Sequence, residues 1–175
     1  MKYLLVGVVV ITIFCGLVYV SIQQVLRIGA NDPQIQISQD FAAKLSQNQS
    51  TQDLIPQEKV DISKSLAPFV IVYDKNGNPL SSSALLDGKT PLLPSGVFDY
   101  VKQKGEDRLT WQPKDGVRIA AVITGYNGKS VGFVLAGRSL REIEKSEDNI
   151  LHFAGIAWIL SVIVISLPFF ILKQK

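Results

Sequence analysis

The middle of the chain is organised around residues 117–136, which read VRIAAVITGYNGKSVGFVLA. Residues 117–124 are rich in β-branched side chains, Asn127 and Gly128 form a tight-turn pair, and residues 131–136 are a second apolar run. The stretch therefore predicts an antiparallel β-hairpin. The first strand is apolar at odd and even positions alike. Because alternate side chains of a strand point to opposite faces, we expect its sheet to be covered on both sides.

Further strands and helices are predicted on either side of this hairpin. They are a helix capped by Asn31 or Asp32 and ending near Asn48, a strand at 69–73, a turn at 74–78, a strand at 80–83, a short helix from about Ser95 through Val101, a strand at 109–112, and a helix opened by the capping box of Ser139 and Glu142. This order predicts the α+β class, with a central antiparallel sheet flanked by helices.

Two apolar blocks, residues 3–20 and 151–172, flank this middle region. The second block has 22 residues without Asp, Glu, Lys or Arg, and as a helix it would cover about 33 Å, enough for a hydrocarbon core of about 30 Å. Both blocks predict transmembrane helices. The predicted order is transmembrane helix 1 (1–27), N-terminal helix and linker (28–66), sheet domain (67–138), juxtamembrane helix (139–150), and transmembrane helix 2 with a short tail (151–175).

The first apolar block has a rival interpretation as a cleaved signal peptide. Its 18 residues exceed the usual apolar core of about 7 to 15 residues, and no small-x-small pattern closes the block, so an uncleaved anchor is favoured. Cys15 would suit a lipoprotein, but Phe14 stands before it where a small residue is expected.

The charge distribution separates the ends of the chain from its middle. Residues 28–150 contain 14 basic and 15 acidic residues, although the whole chain has a net charge of +3. No basic run marks a nucleic-acid surface, and nucleic-acid binding is rejected. Lys2, Lys173 and Lys175 flank the apolar blocks. Because basic residues beside membrane spans favour the cytoplasmic side, we expect both termini in the cytoplasm and the middle region on the outer side of the plasma membrane or bacterial inner membrane.

Four segments of the chain resemble the extracytoplasmic PAS-like (Cache-like) sensor domains of bacterial sensor kinases and chemoreceptors. They are 69–74 with Asn76 and Gly77, 110–113, 116–118, and 132–144, which reads GFVLAGRSLREIE. The resemblance covers about residues 62–172. It implies a PAS-like sheet domain between two membrane helices and a role in sensing.

Receptors of that kind continue into a signalling module, whereas this sequence ends at Lys175. The resemblance therefore implies output through a homodimer or a separate kinase, or else a stand-alone or truncated module. The signal would travel as a tilt or slide of the helix that begins at Ser139. The alternative is a structural or assembly subunit that docks to a membrane complex and binds no ligand.

The candidate ligand residues are Trp111, Arg118 and Tyr126. Arg118 shares a strand face with Tyr126, Trp111 lies on a neighbouring strand, and the Cache-like resemblance suggests a small anionic ligand paired with the arginine. The structural alternative is that Arg118 pairs with a carboxylate at the sheet edge and Trp111 is part of the core.

Enzymatic chemistry is not predicted. The chain has one histidine, His152, and one cysteine, Cys15, so neither a Ser-His-Asp triad nor a Cys/His metal site is available. A Ser-Lys pair of Ser81, Ser82 or Ser83 with Lys89 remains as an alternative. No catalytic residue, metal or cofactor is expected.

Overall fold

The computed structural model describes residues 2–173, and the surroundings of side chains over residues 2–168. The chain divides into two compact units. The helical unit comprises Met1–Ile28 with Ile143–Lys175, and the sheet unit comprises Gly29–Glu142. Lys175 and the side chain of Lys173, which the predicted orientation uses, lie outside the described residues.

The helical unit is built from α1 (Lys2–Gly29) and most of α5 (Arg141–Lys173). Both helices are long and apolar enough to cross a membrane, and the most apolar stretch of each has none of its residues buried. A core helix of a soluble protein would be largely buried. The two helices therefore have the length, composition and exposure of membrane spans.

Polar contacts join α1 and α5 inside the helical unit. Trp158 Nε1 donates a hydrogen bond to Thr12 Oγ1 over 2.9 Å. Arg27 forms a bidentate ion pair with Glu147, with Nε–Oε1 and Nη2–Oε2 distances of 2.7 and 3.2 Å. Thr12 contacts Trp158, and Arg27, later in α1, contacts Glu147, which is earlier in α5. The two helices therefore run antiparallel.

The sheet unit holds all the strands that the structure describes. Its elements are α2 (Asp32–Ser46), α3 (Thr51–Leu54), β1 (Val60–Asp61), β2 (Phe69–Asp74), β3 (Pro79–Ser82), β4 (Ala84–Leu85), α4 (Ser95–Lys104), β5 (Glu106–Lys114), β6 (Val117–Asn127) and β7 (Val131–Ser139). Five strands form one antiparallel sheet in the order β3-β2-β7-β6-β5, and β1 pairs with β4 in parallel. The predicted α+β class and the antiparallel sheet with helices are confirmed.

Both faces of the sheet are covered, as the apolar pattern of β6 predicts. The first core lies on the face of Ile71, Ile119 and Leu135 and includes Phe98 of α4. The second core lies on the face of Val72 and Val134 and includes Leu45 of α2. Each core buries apolar surface that would otherwise contact water, and this burial is the main force that holds the sheet together.

Several strands and helices begin or end at residues other than those predicted, because strand pairing extends beyond the residues whose pattern predicts a strand. The β6–β7 register runs from Ile119 opposite Ser139 to Asn127 opposite Val131, so both strands are longer than predicted. Ser139 thus ends β7, and α5 begins two residues later, with the Ser139 Oγ accepting the N–H of Arg141. The short elements β1, β4 and α3 were not predicted, because two to four residues carry no periodicity.

The predicted cap of α2 also differs. Asn31 has helical backbone angles, φ −89° and ψ −21°, and its side chain makes no capping hydrogen bond. A capping side chain usually needs an extended backbone to reach the next N–H groups. Pro33 does lie in the first turn, as predicted.

The β2–β3 hairpin is organised by the carboxylate of Asp74. Its Oδ1 accepts the backbone N–H groups of Asn76 and Asn78, both at 2.8 Å, and its Oδ2 accepts the side-chain amide of Asn78 at 3.0 Å. The bonds from the Asn78 side chain and backbone are the main reason that the pKa of Asp74 lies below its usual range. Gly77, at φ +85°, completes the turn.

We expect Asp74→Asn to lower the free energy of unfolding at neutral pH. When the pH is lowered, the free energy of unfolding should fall less in this variant than in the unchanged protein. A carboxylate whose pKa is lowered by folding stabilises the native state above its unfolded pKa of about 3.9. That contribution is lost as the pH falls through the lower, folded-state pKa. Urea unfolding of the full chain, followed by the circular dichroism of the strands from pH 3 to 7, checks this.

Asp115→Asn is the matched control for this experiment. Asp115 is exposed in the turn between β5 and β6, and its replacement removes the same charge. Equal loss of stability and equal pH dependence in the two variants would contradict the role given to the Asp74 hydrogen bonds.

Candidate functional site

A cleft of about 680 Å³ opens at one end of the five-stranded sheet. It lies among the β2–β3 turn, the C-terminal end of α4, the end of β6 and the start of β7. Pockets for small organic ligands commonly measure about 300–1,000 Å³. The cleft is therefore large enough for a small ligand.

Three glycines line this cleft: Gly105, Gly125 and Gly132. Gly105 ends α4 at φ +83°, and its carbonyl accepts the N–H of Gly125 over 2.9 Å. A Cβ added to Gly125 would lie 3.7 Å from the Gly105 oxygen. This hydrogen bond joins the end of α4 to β6, and the glycines leave main-chain surface exposed to the cleft.

The apolar part of the lining comes from Val101, Tyr126, Val131 and Phe133. Phe133 and Tyr126 are buried, at 4% and 3% exposure, whereas Val131 is 51% exposed. The Phe133 ring packs against Phe98 with a centroid distance of 5.2 Å. The apolar wall is therefore fixed by both cores, since Val101 and Phe133 belong to the first and Tyr126 to the second. Val131 offers apolar surface that a ligand could cover.

The polar part of the lining comes from Lys75, Asn76, Lys102 and Asn127. Lys75 and Asn76 lie in the exposed β2–β3 turn. Lys102 pairs with Asp99 on α4 over 2.9 Å, with both side chains more than half exposed. An ion pair this exposed is weak and exchanges readily with other partners. The rim thus presents two cations and two amides to the cleft.

Tyr73 is a buried phenol behind this wall. Its ring packs edge-on against Phe98 at 5.1 Å, and its hydroxyl has no hydrogen-bond partner among the described residues. Burial raises the pKa of Tyr73 far above its usual range. The side chain therefore stays neutral.

The three predicted ligand residues do not form one site. Trp111 of β5 lies opposite Ile119 of β6 and is 5% exposed in the first core. Arg118 is exposed near the start of β6, and Tyr126 lies eight positions further along, which is about 26 Å at 3.3 Å per residue. Tyr126 lines the cleft, whereas Trp111 and Arg118 do not.

Strand length separates Arg118 from Tyr126, and the β5–β6 register separates Trp111 from Arg118. Residues directly opposite each other on paired strands share a face, so Trp111 shares the face of Ile119. Arg118 is next to Ile119 in the chain and therefore points to the other face. Lys75, Lys102, Gly105, Gly125 and Gly132 line the cleft but were not predicted from the sequence. Among them, only the glycines near predicted turns gave any signal in the sequence.

A second, polar pocket of about 300 Å³ is lined by Lys59, Ser81 and Thr90 together with β3. Lys59 Nζ donates to the carbonyl of Ser82. The hydroxyl of Ser82 bonds the backbone of Ala84, and the hydroxyl of Ser83 bonds Val70. Two of the three serines weighed as partners of Lys89 are thus engaged with the main chain.

Within residues 2–173, no three His, Cys, Asp or Glu side chains come together as metal ligands. Comparisons with protein-family models, curated proteins and solved structures find no match for this chain.

Proposed function

We propose that this chain is a two-span protein of the cell membrane whose sheet unit is an extracytoplasmic, PAS-like sensory domain. Signalling would proceed through a second copy or a partner chain. The sheet carries this proposal. Five antiparallel strands with helices against them, flanked in the chain by two long apolar helices, are the layout that the resemblance implies. Because fold alone does not assign function, the cleft supplies the second support.

The contacts of α2 support a route by which the occupied cleft could be sensed. Ser46 Oγ accepts the N–H of Asn127, a residue that lines the cleft, over 3.2 Å. Just beyond α2, Asn48 Oδ1 accepts the N–H of Lys129 over 2.7 Å. A ligand that moves the β6–β7 turn would therefore move the end of α2, which follows α1 in the chain.

This route adds to the expected one through α5, the helix that follows Ser139. The N–H of Leu140 donates to the carbonyl of Arg118, at the end of β6 that is remote from the cleft. By contrast, α2 contacts β6 along its length, with Ser38 bonded to Thr124 and Ser46 bonded to Asn127. We therefore propose α2 as the element that responds to the ligand.

The proposed topology predicts a specific labelling pattern in intact bacterial cells. In a Cys15→Ser background, Lys89→Cys should react with a membrane-impermeant maleimide, because Lys89 is exposed in the sheet unit. Lys2→Cys, the matched control, should react only after the cells are permeabilised. The reverse pattern would overturn the extracytoplasmic assignment, and a mature protein that lacks residue 2 by intact mass would show that the first block is cleaved.

Purification in a mild detergent separates sensing from assembly. A second copy or an identified kinase or chemotaxis protein held at fixed stoichiometry supports sensing. Stable incorporation into an identified envelope or secretion complex, unchanged when the cleft is altered by Lys75→Gln and Lys102→Gln, would contradict sensing and favour the structural subunit.

A further inference from the structure

We propose that the edge of β5 pairs antiparallel with the same strand of a second copy of this chain. The two five-stranded sheets would then form one continuous sheet across a two-fold axis at Leu109. This inference rests on the proposed function, because it names the surface through which a second copy would take part in signalling. It follows from the main-chain groups of β5, from its side chains and from the tethering of the chain to a membrane.

The two edges of the five-stranded sheet, β3 and β5, differ in how open they are to pairing. β3 has four residues and begins with Pro79, and the carbonyl of Ser82 accepts a hydrogen bond from Lys59. Natural proteins block edges that must stay unpaired with short strands, proline, lysine and bulges. β5 has nine residues, and among the strands that the structure describes it pairs only with β6. Its bulge and Pro113 come after Trp111, so its first six residues form an open edge.

The β5–β6 ladder shows which main-chain groups of β5 point away from β6. Gly105 and Gly125 continue the register of the two strands, and the N–H of Gly125 donates to the carbonyl of Gly105 over 2.9 Å. Hydrogen-bonded pairs alternate along an antiparallel ladder, so every second residue of β5 has outward main-chain groups. The residues with outward groups are Glu106, Arg108 and Thr110. The N–H of Arg108 accordingly donates to the neighbouring carboxylate of Asp107, over 2.8 Å.

The side chains of β5 select the register of the proposed pair. An axis at Arg108 would place two arginines directly opposite each other, which destabilises a strand pair. An axis at Thr110 would extend the pairing into the bulge that follows Trp111. An axis at Leu109 pairs Arg108 with Thr110 of the second copy, and the outward groups of both can exchange hydrogen bonds.

The axis at Leu109 also covers apolar surface. Leu109 packs against the first core but is only partly buried there. Across the axis the two Leu109 side chains would lie opposite each other on that face of the sheet, and each would shield the other from water.

The charges of β5 are compatible with this register. Arg108 is paired with Glu106 of its own strand, with an Nε–Oε1 distance of 2.9 Å. With the axis at Leu109, Arg108 lies opposite a threonine and Glu106 opposite a glutamine. Neither residue therefore faces a like charge directly across the pair.

The membrane supplies what a short strand pair lacks. Stable protein interfaces bury about 1,200–2,000 Å², more than a few paired residues of one strand can contribute. The two apolar helices would confine both copies to one membrane, and confinement raises the effective concentration of each copy for the other. We therefore expect β5 to pair between copies that share a membrane.

Disulfide cross-linking in isolated membranes tests this pairing. In a Cys15→Ser background, Leu109→Cys should form a covalent dimer on mild oxidation, because Cα atoms at such an axis lie about 4.5 Å apart, within disulfide range. Leu80→Cys is the matched control, since it makes the same change on β3, where Leu80 is 54% exposed. We expect the Leu109→Cys dimer to exceed the control dimer by about tenfold.

A second pair of variants leaves the first core intact. Arg108→Cys and Thr110→Cys replace exposed side chains and are carried by two copies with different tags. The proposed register places these two positions opposite each other, with Cα atoms about 5.5 Å apart. The two variants should therefore cross-link to each other more than either does to itself.

Three results would overturn the inference. They are a Leu109→Cys dimer no more abundant than that of Leu80→Cys, an adduct with a different protein in place of the dimer, and preferential self-cross-linking of Arg108→Cys or Thr110→Cys. Oxidation of isolated membranes does not depend on which side the sheet unit faces. Failure to cross-link in a correctly labelled protein overturns this inference alone, whereas reversed labelling overturns the proposed function even if the copies pair.

Discussion

Gly132→Ala is expected to destabilise the sheet unit by about 3 kcal/mol or more, the upper range for overpacking a buried position. A Cβ at this position would collide with the carbonyl oxygen of Tyr73 and would lie 2.7 Å from the hydroxyl of Tyr126. The Tyr73 carbonyl is fixed in the ladder between β2 and β7, and Tyr126 is 3% exposed. Neither group can move without breaking strand pairing or opening the second core.

The measurement is equilibrium unfolding of the full chain in urea, with Gly96→Ala as the matched control. Gly96 lies in the first turn of α4, and a Cβ there would meet nothing within 4 Å. Since alanine is favoured over glycine in a helix, the control should be neutral or stabilising by up to about 1 kcal/mol. A Gly132→Ala variant as stable as the control would contradict the close approach of β7 to Tyr73 and Tyr126.

Gln34→Met is expected to have a large effect of the opposite sign, stabilising the sheet unit by about 2 kcal/mol. Gln34 lies on α2 with 0% exposure, and neither its Nε2 nor its Oε1 has a hydrogen-bond partner in the described part of the chain. A buried polar group left unpaired costs about 1–3 kcal/mol. Methionine has nearly the same length and volume and carries no such penalty.

Gln36→Met serves as the control, because Gln36 lies two residues away on the same helix and is exposed. Thermal unfolding should show a higher Tm for Gln34→Met and an unchanged Tm for Gln36→Met. A lower Tm for Gln34→Met would mean that the amide is satisfied by ordered water in solution.

Gln34 and Ser38 of α2 show what the local sequence pattern could not predict about the sheet unit. The repeat of Ile37, Phe41 and Leu45 predicts an apolar face for α2, and Leu45 is indeed buried. Yet Gln34 and Ser38 are fully buried as well, against the rule that polar residues mark the exposed face. The sequence pattern cannot show that a polar residue is buried when the strand that covers it is distant in the chain.

The candidate site shows the same division. Strand β6, its turn at Asn127 and Gly128, and the apolar strand that follows were all predictable, and so was Tyr126 as a residue of interest. The separation of Arg118 from Tyr126 follows from the length of one strand. The position of Trp111 relative to them was not predictable, because it depended on which residue of β5 lies opposite which residue of β6. The cleft itself is formed by segments up to 58 residues apart in the chain, from Lys75 to Phe133.

The amino-acid sequence alone determined the two apolar helices, the α+β class, the hairpins and the coverage of the sheet on both faces. Each of these follows from short-range rules: apolar length, the two-residue period of a strand, and the turn preferences of glycine and asparagine. Only the tertiary structure decided the strand order, the register that separates Trp111 from Arg118, the burial of Gln34 and the cleft beside Lys75 and Lys102. Those features depend on contacts between residues distant in the chain, whose energies no local pattern encodes.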